Sequence, residues 1–262
     1  MPNADLGDIR LHYSEDGDPA GAPLVLTHAL GLDLTLWDAV LPLLPEGLRI
    51  IRYDARGHGL SDAPPAPYAM GALVRDLERL LDHLSVRDAV VLGLSMGGLV
   101  TQALAVKRLD LVRAMILSGT AAKIGTPALW AQRIAVVEQG GTEAIADATL
   151  EKWFGQKRRD SAAAAAMRAI LAATDPTGYT GCCAAISGTD LITPTSGLRL
   201  PTLVLAGAED GSTPPDLVRE TAELIPGAEF RLIRGAGHLP HLDQPEDWAD
   251  AVTVFLRRIG HI

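Results

Sequence analysis

The 262-residue sequence has no long basic stretch, almost no cysteine and no extended apolar run. No block of lysine and arginine exceeds three residues, and the formal net charge is −9. A nucleic-acid partner needs a basic face to meet its phosphates, so that class is excluded. Apolar runs fall short of the ~18 residues of a membrane span. The polar, acidic stretch from Asn3 to Asp18 lacks the charged-then-apolar order of a secretory leader. A cytoplasmic location with no membrane partner is therefore the expectation. Cys182 and Cys183 are the two cysteines and are adjacent. A disulfide between neighbours would be strained, and a metal site needs spaced ligands, so both are expected as buried thiols. No metal and no organic cofactor is expected.

What is present is a hydrophobic content of 48%, enough for one sizeable core. Short apolar runs alternate with helical spacing through the first 120 residues. Strands are expected at Ile9 to Ser14, Leu24 to Thr27, Ile50 to Asp54, Ala89 to Gly93 and Ala114 to Leu117, with a turn-rich stretch from Glu15 to Pro23. A short helix is expected around Trp37 to Leu44, and longer ones at Leu73 to Leu84 and Met96 to Arg108. This alternation points to an α/β fold with a mostly parallel central sheet covered by helices on both faces. From about Ala121 to Thr195 the pattern turns wholly helical: Pro127 to Glu138, Thr142 to Phe154, Ser161 to Ala173 and Pro176 to Ser187. Residues 121–195 therefore read as a helical cap inserted into a core made of residues 1–120 and 196–262. Strands resume at Thr202 to Ala206 and Phe230 to Ile233, with helices at Pro214 to Ile225 and Pro245 to Arg258.

The chemistry centres on Gly93-Leu94-Ser95-Met96-Gly97, which follows a buried strand and precedes a helix. Gly-x-Ser-x-Gly in that setting is a nucleophile elbow, a turn tight enough to push the serine hydroxyl out of the chain. A serine hydroxyl is a weak nucleophile and needs a base and a group that orients the base. The later strand ends offer both, Asp210 in Gly207-Ala208-Glu209-Asp210 and His238 in Gly235-Ala236-Gly237-His238. The order Ser95, Asp210, His238 is that of triads on α/β-hydrolase scaffolds. Glu209 is the second candidate acid and His241 the second candidate base. Taken singly, Asp210 could be a helix cap and His238 a surface histidine. The backbone N–H groups of Leu30 and Met96 are the expected oxyanion donors. His28, Trp37, Arg56, His58, Ser61 and Asp62 read as loop-bracing or core residues.

Arg52-Tyr53-Asp54-Ala55-Arg56-Gly57-His58-Gly59, the Ser95 elbow, the Asp210 loop and Gly237-His238 together resemble the α/β-hydrolase superfamily across nearly the whole chain. A narrower likeness is to bacterial 3-oxoadipate enol-lactonases of the β-ketoadipate pathway. It rests on Gly178-Tyr179-Thr180-Gly181-Cys182-Cys183-Ala184-Ala185-Ile186, Ile124-Gly125-Thr126-Pro127, Trp153-Phe154 and Ser61-Asp62-Ala63-Pro64-Pro65, and departs from the family at His28 and Ser187-Gly188. The resemblance implies a serine acyl-enzyme that opens an enol-lactone formed in aromatic catabolism. Its substrate would be a small anion, so a cation is expected near the pocket of this acidic protein. Trp130 and Arg133 lie three apart on a cap helix and share a face, and Trp153 is the third expected substrate contact. Other readings on the same scaffold are a general carboxylesterase, a cofactor-free perhydrolase or a non-catalytic small-ligand receptor. Oligomeric state is not encoded in any of these patterns.

Overall fold

In the computed structural model, which describes residues 2–262, eight strands form one sheet in the order β1-β2-β4-β3-β5-β6-β7-β8. The strands are β1 (Asn3–Asp5), β2 (Arg10–Gly17), β3 (Ala22–Thr27), β4 (Leu48–Tyr53), β5 (Ala89–Leu94), β6 (Val112–Ser118), β7 (Thr202–Gly207) and β8 (Glu229–Ile233). β1 and β2 are antiparallel additions at one edge, and β4, β3, β5, β6, β7 and β8 run parallel to one another. Every residue of β5 and of β7 is buried, as expected of central parallel strands covered on both faces. Their side chains are accordingly apolar on both faces rather than alternating.

The covering helices are α1 (Met70–His83), α2 (Met96–Lys107), α8 (Pro215–Leu224) and α10 (Pro245–Arg258). In α1 the residues Leu73, Leu77, Leu80 and Leu81 are buried along one stripe, which the 3.6-residue repeat anticipates. Helix α2 is different: Met96, Leu99, Val100, Thr101, Gln102, Leu104 and Ala105 are all buried, so it is enclosed by protein on most sides. Between β6 and β7 lie α3 (Pro127–Gly140), α4 (Ala146–Trp153), α5 (Ala162–Ala173), α6 (Pro176–Ser187) and α7 (Ile192–Ser196), with no strand. A short α9 (Pro240–Asp243) follows β8. No helix among the described residues is long and apolar enough to cross a membrane.

Three local expectations need correction. The helix expected around Trp37 to Leu44 is two separate 3-10 turns, Leu34–Trp37 and Leu41–Leu43. Pro42 and Pro45 deny the run enough backbone donors for an α-helix. The single helix expected over Thr142 to Phe154 is a 3-10 turn, Thr142–Ile145, followed by α4. Finally, β2 continues to Gly17, pairing with β4 through Glu15↔Ile51 and Asp16↔Ile50, where a turn was expected from Glu15. Cross-strand partners, invisible in a local pattern, override the turn-forming residues there.

The segment Gly178 to Gly181 joins the helices between β6 and β7 to the core by close backbone approach. A Cβ on Gly178 would stand 2.2 Å from the Gly57 carbonyl oxygen, and one on Gly57 would stand 2.2 Å from the Gly178 Cα. Cys182 and Cys183 are fully buried free thiols, and Cys182 Sγ donates to the Arg56 carbonyl at 3.7 Å. Burial pushes the Cys183 thiol up to about 12 and the Cys182 thiol higher still, so neither has thiolate character.

Candidate active site

The elbow is built by steric exclusion. Ser95 has φ 55° and ψ −114°, a left-handed conformation that a side-chain-bearing residue adopts only under constraint. The constraint comes from the contacts around it. A Cβ on Gly97 would lie 2.3 Å from the Thr27 carbonyl oxygen, and one on Gly93 would lie 2.4 Å from the Gly97 carbonyl oxygen. Helix α2 therefore starts pressed against β3, which leaves Ser95 at the apex of the turn, half-buried.

Asp210 follows β7 and His238 follows β8, so both lie beyond the carboxyl ends of parallel strands, where open α/β sheets place ligands. His238 Nδ1 lies 2.8 Å from Asp210 Oδ2, and both side chains are buried. A carboxylate can only accept, so Nδ1 carries a proton and Nε2 is the ring nitrogen turned away from Asp210. Asp210 is itself tightly held. Its Oδ1 accepts from the Ser212 and Thr213 amides at 2.7 and 2.9 Å, and its Oδ2 accepts from Thr213 Oγ1 at 2.9 Å. Thr213 had no place in the sequence reading. The Asp-x-x-Thr spacing ahead of Pro214 is the signal that could have found it, because an aspartate caps a turn most readily two and three residues on.

Glu209 and His241, the second candidates, lie elsewhere. Glu209 Oε2 accepts from the Gln156 amide at 2.8 Å. His241 is enclosed between Trp37 and Trp248, at ring-centre distances of 4.8 and 5.6 Å, and both its ring nitrogens lack a partner among the described residues.

Ser95 and His238 open on one cavity of about 150 Å³. Leu30, Trp130, Arg133 and Trp153 line it too, with Thr149, Lys152 and Tyr179. Neither the Leu30 nor the Met96 amide donates to a protein acceptor among the described residues. Leu30 sits in the turn after β3, and that turn is braced from behind. The Gly31 amide donates to His58 Nε2 at 2.9 Å, while the Ala55 amide donates to His28 Nε2 at 2.8 Å. Arg56 makes a buried bidentate pair with Asp76 at 2.6 and 2.7 Å. Ser61 Oγ donates to the Asp54 carbonyl, and Asp62 Oδ2 accepts from the Arg10 amide. A larger groove of about 590 Å³, between Asp33 to Ala63 and the end of α5, contains none of the residues around Ser95.

Arg133 projects from α3 into the Ser95 cavity. Its Nε donates to the Tyr179 hydroxyl at 2.7 Å and its second arm donates to Thr149 Oγ1 at 2.8 Å. It pairs with no carboxylate among the described residues. Burial raises the Tyr179 phenol well above its ordinary value, so this partner is neutral and leaves the guanidinium charge uncompensated. Trp130 is fixed by Nε1 donating to the Ile124 carbonyl at 2.7 Å.

A family model described as alpha/beta hydrolase fold matches residues 22–245. The chain belongs to the α/β-hydrolase-fold family. Among curated members of this family, a 3-oxoadipate enol-lactonase of Acinetobacter baylyi is 31% identical over 255 residues, covering 97% of this chain and 95% of its own. The solved enol-lactonase of Burkholderia xenovorans LB400 superposes with a TM-score of 0.94 at 35% identity, covering 98% of this chain and all of the other. A thermophilic esterase from Thermogutta terrifontis, solved with malate bound, superposes with a TM-score of 0.89 at 31% identity over 96% of this α/β-hydrolase-fold chain and 94% of its own.

Proposed function

We propose that this protein is a serine hydrolase that opens a small anionic lactone, with 3-oxoadipate enol-lactone as the substrate. The observation that carries the reading is Arg133, an uncompensated guanidinium facing the same cavity as Ser95 and His238. A fixed cation in a half-enclosed site favours a substrate carboxylate, offsetting the repulsion expected from a chain of net charge −9. The cavity, at about 150 Å³, is below the ~300–1,000 Å³ usual for drug-sized ligands. That size favours a compact ring over a long acyl chain. Both enol-lactonase relatives support the same substrate class.

In this mechanism His238 Nε2 takes the proton of Ser95 Oγ as that oxygen attacks the lactone carbonyl. Asp210 holds the imidazole in the required tautomer and stabilises the imidazolium that forms. The Leu30 and Met96 amides donate to the oxyanion of the tetrahedral intermediate. Collapse breaks the ring C–O bond. The leaving oxygen departs as an enol protonated by His238 and tautomerises to the ketone. A water molecule, deprotonated by His238, then releases the acyl group from Ser95 as a carboxylate.

Steady-state assays with the enol-lactone and a panel of short p-nitrophenyl esters test the proposal. The expected result is a kcat/KM for the lactone well above that for any ester, abolished in Ser95→Ala with the fold intact. Equal or better ester turnover would favour a general carboxylesterase, the reading that the Thermogutta terrifontis likeness supports. Negligible turnover with tight small-ligand binding would make the protein a receptor.

A further inference from the structure

The segment from Lys152 to Gln156, where α4 ends, is tied to both loops that carry Asp210 and His238. The Lys152 carbonyl accepts from the Gly211 amide at 3.2 Å, and the Trp153 carbonyl accepts from the Leu239 amide at 3.1 Å. The tightest tie runs through Asp243 in α9. Its Oδ2 accepts from the Gly155 amide at 2.8 Å and from the Gly237 amide at 2.7 Å. Gly155 lies two residues after Trp153, which walls the cavity, and Gly237 immediately precedes His238.

Asp243 is placed at a cost. It is 4% exposed, and its Oδ1 is buried without a partner among the described residues. A half-satisfied buried carboxylate works against folding, so stability alone does not account for it. What the side chain supplies is a common reference point for two backbone segments that are 82 residues apart in sequence, from Gly155 to Gly237. No other described side-chain atom accepts from both.

We propose that Asp243 is a positioning residue that fixes the spacing between the Trp153 wall and the His238 base. It does so by holding Gly155 and Gly237 with one oxygen, so that a substrate seated against Trp153 meets Ser95 and His238 in register. The inference rests on the reading of Ser95 and His238 as nucleophile and base. The requirement is geometric, not electrostatic: the acceptor atom must stay where it is, while its charge is dispensable.

Asp243→Asn keeps an oxygen at the same reach without the charge, and Asp243→Glu keeps the charge but carries the oxygen one methylene further. Asp243→Ala removes the acceptor without adding bulk. Turnover of p-nitrophenyl acetate and of the lactone is measured per active site, counted with a serine-reactive phosphonate, alongside melting temperature. Asparagine is expected to keep kcat within about threefold of wild type, while glutamate and alanine each lose at least about tenfold per titrated site, since misplacement of the order of 1 Å costs up to ~100-fold. Glutamate outperforming asparagine would overturn the inference. So would a fall in melting temperature with kcat per site within about twofold of wild type in every folded variant. Ser95→Ala run in parallel separates the two levels: if it stays as active as wild type, the functional reading fails. If it is inactive while the Asp243 variants behave as wild type, only this inference fails.

Discussion

Arg133 Nε donates to the Tyr179 hydroxyl at 2.7 Å, and the same guanidinium lies 5.7 Å from the centre of that tyrosine ring. The charge is thereby aimed without being neutralised. Arg133→Ala is expected to raise KM for an anionic lactone by about tenfold or more, the scale of a charge-assisted hydrogen bond, and to leave KM for a neutral ester within about twofold. Tyr179→Phe, which frees the guanidinium but retains it, should fall between. Paired KM measurements on the two substrates check this, and equal effects on both would remove Arg133 from substrate recognition.

Asp210 and Thr213 form a second graded series. If Ser95, Asp210 and His238 act as proposed, Asp210→Asn would offer an amide where Nδ1 needs an acceptor, and kcat should fall by about 10⁴, the scale on which loss of the correct tautomer acts in serine triads. Thr213→Val leaves the carboxylate but removes one donor from Oδ2. A loss of about tenfold is expected from a single hydrogen bond to a charged group. Single-turnover acylation rates would show whether both losses fall on the same step.

Two buried histidines are expected to weaken the fold on the acid side. Burial, with the neighbouring His28 adding to it, lowers His58 to about 3, and burial lowers His241 to about 3. In the unfolded chain both titrate near 6.5. Below that value the unfolded state binds more protons than the native one, so the contribution is whole above about pH 6.5 and is lost progressively towards pH 3. Each ring contributes a slope of about 1.4 kcal/mol per pH unit, so together they should remove about 3 kcal/mol between pH 7.5 and 5.5. Urea titrations at the two pH values measure this. His241→Phe, which fits the slot between Trp37 and Trp248, should halve the loss.

Arg56 and Asp76 test the bracing behind the Leu30 turn. Removing one partner of a buried pair strands the other charge, so Asp76→Ala should cost about 3–5 kcal/mol and lower Tm by roughly 10 °C. Scanning calorimetry reads this directly. Arg56→Lys, with Asp76 in place, should cost less than Asp76→Ala but more than nothing, because an ammonium keeps the charge and cannot reproduce the two-pronged geometry.

The strand ends were the most legible part of the chain. Ser95, Asp210 and His238 lie within two residues of a glycine shortly after a strand-forming run, where composition changes abruptly, and each of those runs is a parallel strand. Helix α1 was readable because its leucines repeat with the helical period. Three-residue β1 was not, since a strand that short carries no periodic signal. Nor was the role of Asp243, whose two partners come from distant segments, or the anchoring of Arg133 by Thr149, which lies on another helix. Local pattern reports what a residue prefers; only the folded chain decides whom it meets.

The contact between Gly57 and Gly178 has a consequence for how this sequence can change over time. Each glycine faces backbone atoms of the other, not a side chain. A larger residue at one position therefore has no compensating smaller residue available at the other. Ordinary core positions can drift in pairs, but this pair has no neutral path of exchange. A side chain at either site would have to push two backbone segments apart, and with them α6 and the turn that follows β4.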